Sequence, residues 1–206
     1  MENAQLKSDP YNLIIAGVGG QGNVLASRMV GDMLSRRGFY VTIGETFGAS
    51  QRGGSVMSHL RISAASIFSP QMPKGRAHMI VALEPTEAIR VLRDYGNPKV
   101  GVLCNTRPIH SIGVISGEQT CPALKEIREW VGVLSLNAWF IGATEEALKL
   151  GNPIFGNIIS VGALAATKVL PLDRECFESV LLRKMSPDKI AVNLEAFDIG
   201  VNMVRK

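Results

Sequence analysis

The sequence predicts an α/β protein, a three-layer α/β/α sandwich built on a mostly parallel, Rossmann-like central sheet. Three observations predict it. Short apolar runs (Leu13-Ile14-Ile15-Ala16, residues 79–83 and residues 100–103) have the length and continuity of strands buried on both faces. Segments with helical periodicity alternate with these runs. The first run ends in a glycine turn, Gly17-Val18-Gly19-Gly20-Gln21-Gly22, placed to open a helix.

Residues 23–37 read as that helix. Leu25, Met29 and Met33 form one stripe with Val30 and Leu34 beside it, and Arg36, Arg37 and Gly38 suit a helix C-terminus. Val41-Thr42-Ile43 reads as the next strand, leading to Glu45, so that strand, turn, helix and strand make a βαβ unit with a right-handed crossover. Residues 56–62 alternate. Val56, Ser58, Leu60 and Ile62 share one face, and Met57, His59 and Arg61 make a polar one. Residues 69–75 form a loop. After the strand at 79–83, Pro85 opens a helix to about Tyr95 with Glu84 and Glu87 in or near its first turn.

A strand at 100–103 follows, then a short strand at Val114-Ile115, a helix over 123–130 and a strand over 133–136. Thr144 is placed to cap a helix ending at Gly151, with Glu145 and Glu146 in its first turn. Residues 157–170 are apolar nearly all round, as in a sandwiched helix capped by Asn157. Gly162, Ala163, Ala165 and Ala166 let another backbone approach it closely. Helices over 177–184 and 188–205 close the chain. With no internal repeat or linker, residues 1–206 read as one domain with a polar leader over 1–10.

Bulk properties narrow the function classes. A hydrophobic content of 46% supports a sizeable core. The 22 basic and 18 acidic residues are interspersed and only 6% of residues are aromatic, which argues against a nucleic-acid surface. The N-terminus lacks a signal-peptide pattern, and the most apolar stretch, 154–170, is broken by Asn157, Ser160, Thr167 and Lys168, so no membrane span is expected. Cys104, Cys121 and Cys176 are as scattered as His59, His78 and His110. With no CxxC or HxxxH spacing, no metal site is expected in this chain. The chain reads as cytoplasmic.

Two motifs carry the candidate chemistry. The first is the glycine turn: Gly17, Gly19 and Gly22 match a dinucleotide fingerprint, Gly20 and Gln21 lie between them, and Glu45 falls 23 residues beyond Gly22, near where a ribose-binding acid stands. The same glycines also serve tight strand–helix packing. The second is Ser50-Gln51-Arg52-Gly53-Gly54-Ser55, where Arg52 on a tight loop can fork onto a carboxylate or phosphate. His59 and Arg61 extend this anion site, or else bind a loop or a partner subunit. Cys104, at a strand end, reads as a small core residue.

Together these residues resemble the gamma-type subunits of the 2-oxoacid:ferredoxin oxidoreductases, nearest to the beta subunits of the indolepyruvate branch. The similarity runs through residues 17–22, Leu25-Ala26-Ser27, 45–48 and 50–56, then Ser58-His59, 82–88, Asn105-Thr106, 147–152 and Asn157. It continues through Gly162-Ala163-Leu164, Asn193, Ala196-Phe197 and Gly200. The Ser-Gln-Arg-Gly-Gly segment sets this branch apart from pyruvate and 2-oxoglutarate gamma subunits. His78 and Cys121-Pro122 depart from the family pattern.

The resemblance implies a subunit with no cofactor of its own. A catalytic partner binds thiamine diphosphate and Fe-S clusters, decarboxylates the 2-oxoacid, passes electrons to ferredoxin and transfers the acyl group to coenzyme A. The glycine turn and Arg52 then face either a ligand entrance or the subunit interface. Two other readings stand beside this one: a free-standing NAD- or FAD-binding protein, and a purely structural assembly subunit. A homodimer of the isolated chain is left open.

Overall fold

The run expected at 13–16 is the middle of a longer strand, β1 (Tyr11–Val18), every residue of which is buried. In the computed structural model, which describes residues 6–48 and 54–205, β1 lies inside a six-stranded sheet. Around it lie β2 (Tyr40–Phe47), β3 (Ser55–Ser63), β4 (Met79–Ala82), β5 (Gly101–Asn105) and β6 (Asn137–Ile141), in the order β2-β3-β1-β4-β5-β6. Parallel ladders join β1 to β4, β4 to β5 and β5 to β6, while β3 runs antiparallel to both its neighbours.

Helices cover both faces. Alternate residues of β1 point opposite ways: Leu13 and Ile15 join a core with α1 (Asn23–Arg36), α5 (Ala143–Lys149), α6 (Gly156–Ala166), α7 (Arg174–Lys184) and α8 (Pro187–Arg205). Ile14 and Ala16 join a second core with α2 (Pro85–Tyr95) and α4 (Leu124–Leu134). The small residues of α6 act as expected. A Cβ built on Gly162 would lie 2.8 Å from the carbonyl carbon of Phe197, so α6 and α8 touch backbone to backbone. Among the described residues no helix is long and apolar enough to cross a membrane.

Several expectations are corrected. β2 is parallel to β1 but not its neighbour. β3 pairs with β2 from Phe47↔Val56 to Tyr40↔Ser63 and also with β1, and so wedges between them. A short connection favours an antiparallel hairpin over a distant parallel partner.

Val114 and Ile115 lie in a helical turn, α3 (Ile112–Ile115), whose preceding Ser111 side chain accepts a hydrogen bond from the Val114 N–H. Residues 133 and 134 end α4 and the strand begins later, at Asn137. Ile127 and Val131, at i, i+4 spacing, are the residues that α4 buries, and that helical period outweighs the apolar run. The helix expected over 157–170 spans 156–166, and Asn157 sits inside its first turn rather than at its cap.

Candidate functional site

The C-terminal edge of the sheet gathers the first motif. Backbone amides and carbonyls released at the end of β1 need partners, and Gln21 supplies them. Its Oε1 accepts from the Val18 N–H (2.8 Å) and its Nε2 donates to the Leu83 carbonyl (2.8 Å), bridging the crevice between β1 and β4. That crevice is the topological switch point, where open α/β sheets place ligands. Here it is closed by protein. A Cβ on Gly17 would meet Gln21 Oε1 at 2.5 Å and Asn23 Oδ1 at 2.8 Å.

Gly22, at φ +81°, faces Asn157, whose Nδ2 donates to its carbonyl (3.4 Å). Gly20, at φ +101°, is exposed with open space beside it. The cavity among Gln21, Asn105, Thr144 and Asn157 is about 20 Å³, far below the ~300 Å³ at the lower end of small-molecule pockets.

The two glycine motifs do meet. The Gly19 N–H donates to the Gly54 carbonyl (2.7 Å), so the turn after β1 carries the end of the β2–β3 connection. Ser50, Gln51, Arg52 and Gly53 themselves lie outside the described residues. From Ser55 the connection is pinned to α2 as well, its hydroxyl donating to Glu87 Oε2 (2.7 Å), which Arg90 also pairs.

Two buried polar residues at strand ends take roles that the sequence does not assign them. Glu84, fully buried, caps α2 by accepting from the Glu87 N–H (3.0 Å), and it also accepts from the Thr86 hydroxyl and the Ile109 N–H (3.3 Å). Asn105, at the end of β5, takes the capping role expected of Thr144. Its Oδ1 accepts from the Ala143 and Thr144 N–H groups (3.0 and 3.3 Å), and its Nδ2 donates to the Leu83 carbonyl (3.0 Å) and Thr144 Oγ1 (2.9 Å). The only sequence signal for either was a polar side chain directly after an apolar strand.

His59 and Arg61 do not join the glycine edge. His59 pairs with Ile14, three residues before Gly17, or roughly 10 Å down the strand. It is buried against Tyr95 (5.0 Å, edge-on), and burial, then Arg61, pushes its pKa down, favouring the neutral ring. Arg61 donates to the Ser69 and Gln71 carbonyls (3.4 and 3.2 Å) and stacks over Phe68, so Arg61 binds a loop.

Glu45 is also displaced from a ribose-binding position. β3 separates its strand from β1, and among the described residues Arg28 pairs with it at 4.0 Å. His78 serves the opposite edge, its Nδ1 accepting from the Asn12 N–H (2.9 Å). Cys104 is a core group as expected, its thiol pushed up to about 12 chiefly by burial.

Comparison with known proteins agrees with this architecture. Residues 12–203 match the family model for pyruvate ferredoxin/flavodoxin oxidoreductase. The indolepyruvate oxidoreductase subunit IorB of Pyrococcus horikoshii is 35% identical over 198 residues, covering 95% of this chain and 96% of that protein. The fold is shared with pyruvate oxidoreductase subunit PORC from Thermotoga maritima (TM-score 0.72, 19% identity, 95% of this chain and 97% of that one). It is shared too with the 2-oxoglutarate:ferredoxin oxidoreductase from Magnetococcus marinus, solved with 2-oxoglutarate, coenzyme A and succinyl-CoA bound. There the TM-score is 0.74 at 21% identity, and the match covers 97% of this chain but 32% of that one.

Proposed function

Because this chain belongs to the pyruvate ferredoxin/flavodoxin oxidoreductase family, we propose that it is the non-cofactor subunit of a thiamine-diphosphate-dependent 2-oxoacid:ferredoxin oxidoreductase acting on indolepyruvate or another aryl pyruvate. The observation that carries this reading is the 35% identity to an indolepyruvate oxidoreductase subunit along nearly the full length of both chains. In the cytoplasmic complex we envisage, a catalytic partner holds thiamine diphosphate for decarboxylation, iron–sulfur clusters for electron transfer to ferredoxin, and coenzyme A as acyl acceptor.

The residues of this chain support that division. No group of three or more His, Cys, Asp or Glu among the described residues is placed to hold a metal ion, so they do not fit an iron–sulfur cluster. Burial is the first cause raising the thiol pKa of Cys104, Cys121 and Cys176, which disfavours the thiolate that metal binding or nucleophilic attack needs. The closed β1–β4 crevice and the displaced Glu45 weigh against free-standing NAD or FAD binding.

The test is anaerobic co-purification of the tagged chain with its native neighbours. A thiamine-binding, iron–sulfur partner is expected, with ferredoxin reduction that requires an aryl 2-oxoacid, coenzyme A and this chain. Isolation of the chain alone, with no effect on such activity, overturns the reading.

Within the complex, we assign the Gly19-Gly20 turn, Gln21 and the Ser50–Gly54 segment to the coenzyme A or substrate entrance, with Arg52 as the anion contact. Arg52→Ala is then expected to raise the KM for coenzyme A about tenfold, the scale of a charge-assisted hydrogen bond, while leaving the 2-oxoacid KM unchanged. A purely structural subunit is the second reading, favoured by Gln21 and Asn157 filling the room beside Gly17 and Gly22. It predicts unchanged KM values and weaker assembly.

A further inference from the structure

We propose that residues 106–123, the connection from β5 to α4, form the segment by which this chain docks on its catalytic partner subunit, with Ile109, Ile112 and Ile115 entering an apolar face of that subunit. The inference rests on the subunit reading above and adds to it the contact surface.

No residue of 106–123 is buried. A connection facing only water is ordinarily built from Gly, Pro, Asn, Asp and Ser. This one exposes Ile109 by 44%, Ile112 by 85% and Ile115 by 75%, and α3 buries none of its residues. Ile112 and Ile115, one helical turn apart, share a face. These side chains add nothing to either core of the isolated chain.

The segment is shaped nonetheless. Its start is fastened to the sheet edge by the Thr106 N–H on the Ile141 carbonyl (2.9 Å) and the Ile109 N–H on buried Glu84 (3.3 Å). Its middle is closed by the Ser111 cap and by the Gln119 N–H on the Gly113 carbonyl (2.9 Å). The isoleucines therefore project from the C-terminal edge, where the glycine turn also lies.

The occupant follows from charge and size. Arg107, His110 and Glu118 are the segment's only strongly polar ionisable groups, so its complement is apolar rather than a charged lattice, lipid headgroup or nucleic acid. In the Magnetococcus marinus relative the matching domain is 32% of one chain, continuous with a larger body of polypeptide. A subunit that must join such a body needs an apolar face left over after its own cores are filled. A rival face exists at Trp130, Val133 and Leu136, but α4 also buries Ile127 and Val131, so its apolar character is partly spent on this chain's own core.

The experiment compares tagged wild type, Ile112→Glu/Ile115→Glu and Val133→Glu in anaerobic co-purification. Thermal midpoints establish that each variant folds. The double variant is expected to lose the partner at least tenfold while Val133→Glu keeps it. Hydrogen–deuterium exchange on the unsubstituted complex is expected to slow at 106–123 relative to the isolated chain. Full partner retention by the double variant, or unchanged exchange at 106–123, overturns the inference and leaves the subunit reading standing. So does a homodimer of the isolated chain that the double variant dissolves without losing the partner, since the face would then belong to a second copy. If the wild type itself brings down no partner, the subunit reading fails and this inference fails with it.

Discussion

Gly200→Ala is expected to lower the thermal midpoint by roughly 6 °C, because α6 and α8 have no room for a methyl group where they cross. A Cβ on Gly200 would overlap the Ile159 carbonyl oxygen and stand 2.8 Å from the Ala163 nitrogen. Both are backbone atoms of a helix, so no rotamer change relieves the contact and the helices must part. Parting them disturbs the Phe177–Phe197 stack (4.5 Å) at the centre of that layer.

Overpacking of this kind costs about 3 kcal/mol, at the upper end of the usual range, and outweighs the ~1 kcal/mol that alanine gains over glycine in a helix. The net loss of about 2 kcal/mol, at roughly 2–4 °C per kcal/mol for a chain of this size, gives a drop of about 6 °C. Gly132→Ala supplies the opposite sign. Gly132 lies in α4, and a methyl group added there would meet nothing within 4 Å, so the same substitution is expected to raise the midpoint slightly. Circular dichroism melts of the two variants check both; an unshifted Gly200→Ala would mean that α8 is free to move off α6.

Asn105→Ala is expected to cost about 3–4 kcal/mol, since each buried group left without its partner costs ~1–3 kcal/mol. Asn105 is 3% exposed, and its amide makes four hydrogen bonds that join β4, β5 and the start of α5. Alanine would strand the Ala143 and Thr144 N–H groups at a helix N-terminus, where no carbonyl of the same helix reaches them.

The Leu83 carbonyl keeps one donor, Gln21 Nε2. Gln21→Ala and Asn105→Ala are therefore expected to be non-additive, the second removal leaving that carbonyl with nothing. Urea denaturation of the two single variants and the double measures the coupling. A loss below about 1 kcal/mol for Asn105→Ala, a typical net hydrogen-bond value, would show that water replaces the asparagine at little cost.

The C-terminal edge was readable in part. Gly17, Gly19, Gly20, Gln21 and Gly22 stand out because a glycine turn between an apolar run and a helix has one common structural use; the structure places residues 19–22 at that turn and Gly17 inside the end of β1, paired with Val56. What fills the turn was not readable. Gln21 looked like a residue of a ligand cradle, yet its amide occupies the crevice. Asn157 looked like a cap for its own helix, yet its partner is Gly22, 135 positions away. Thr144 is the local candidate for a cap, while the group that caps α5 is Asn105, 38 positions from Ala143.

The strands show the same division. Residues 13–16, 79–83 and 100–103 announced themselves because burial on both faces demands an unbroken apolar run. β6 did not, because an edge strand with half-exposed residues needs no such run. By itself the sequence determined the layered α/β class, the glycine turn and its helix, and the close approach along α6, since each is written in periodicity or in local spacing, and its motifs resembled the family that the comparison shows.

The tertiary structure alone decided that β3 lies between β1 and β2, that Arg61 supports a loop and His59 packs on Tyr95, both away from the glycine turn, and which side chains close the β1–β4 crevice. The reason is physical. A backbone's local preference is set by its neighbours in the chain, whereas a buried polar group is satisfied by whatever the fold brings within about 3 Å. For Asn157 and Asn105, those partners come from distant parts of the sequence.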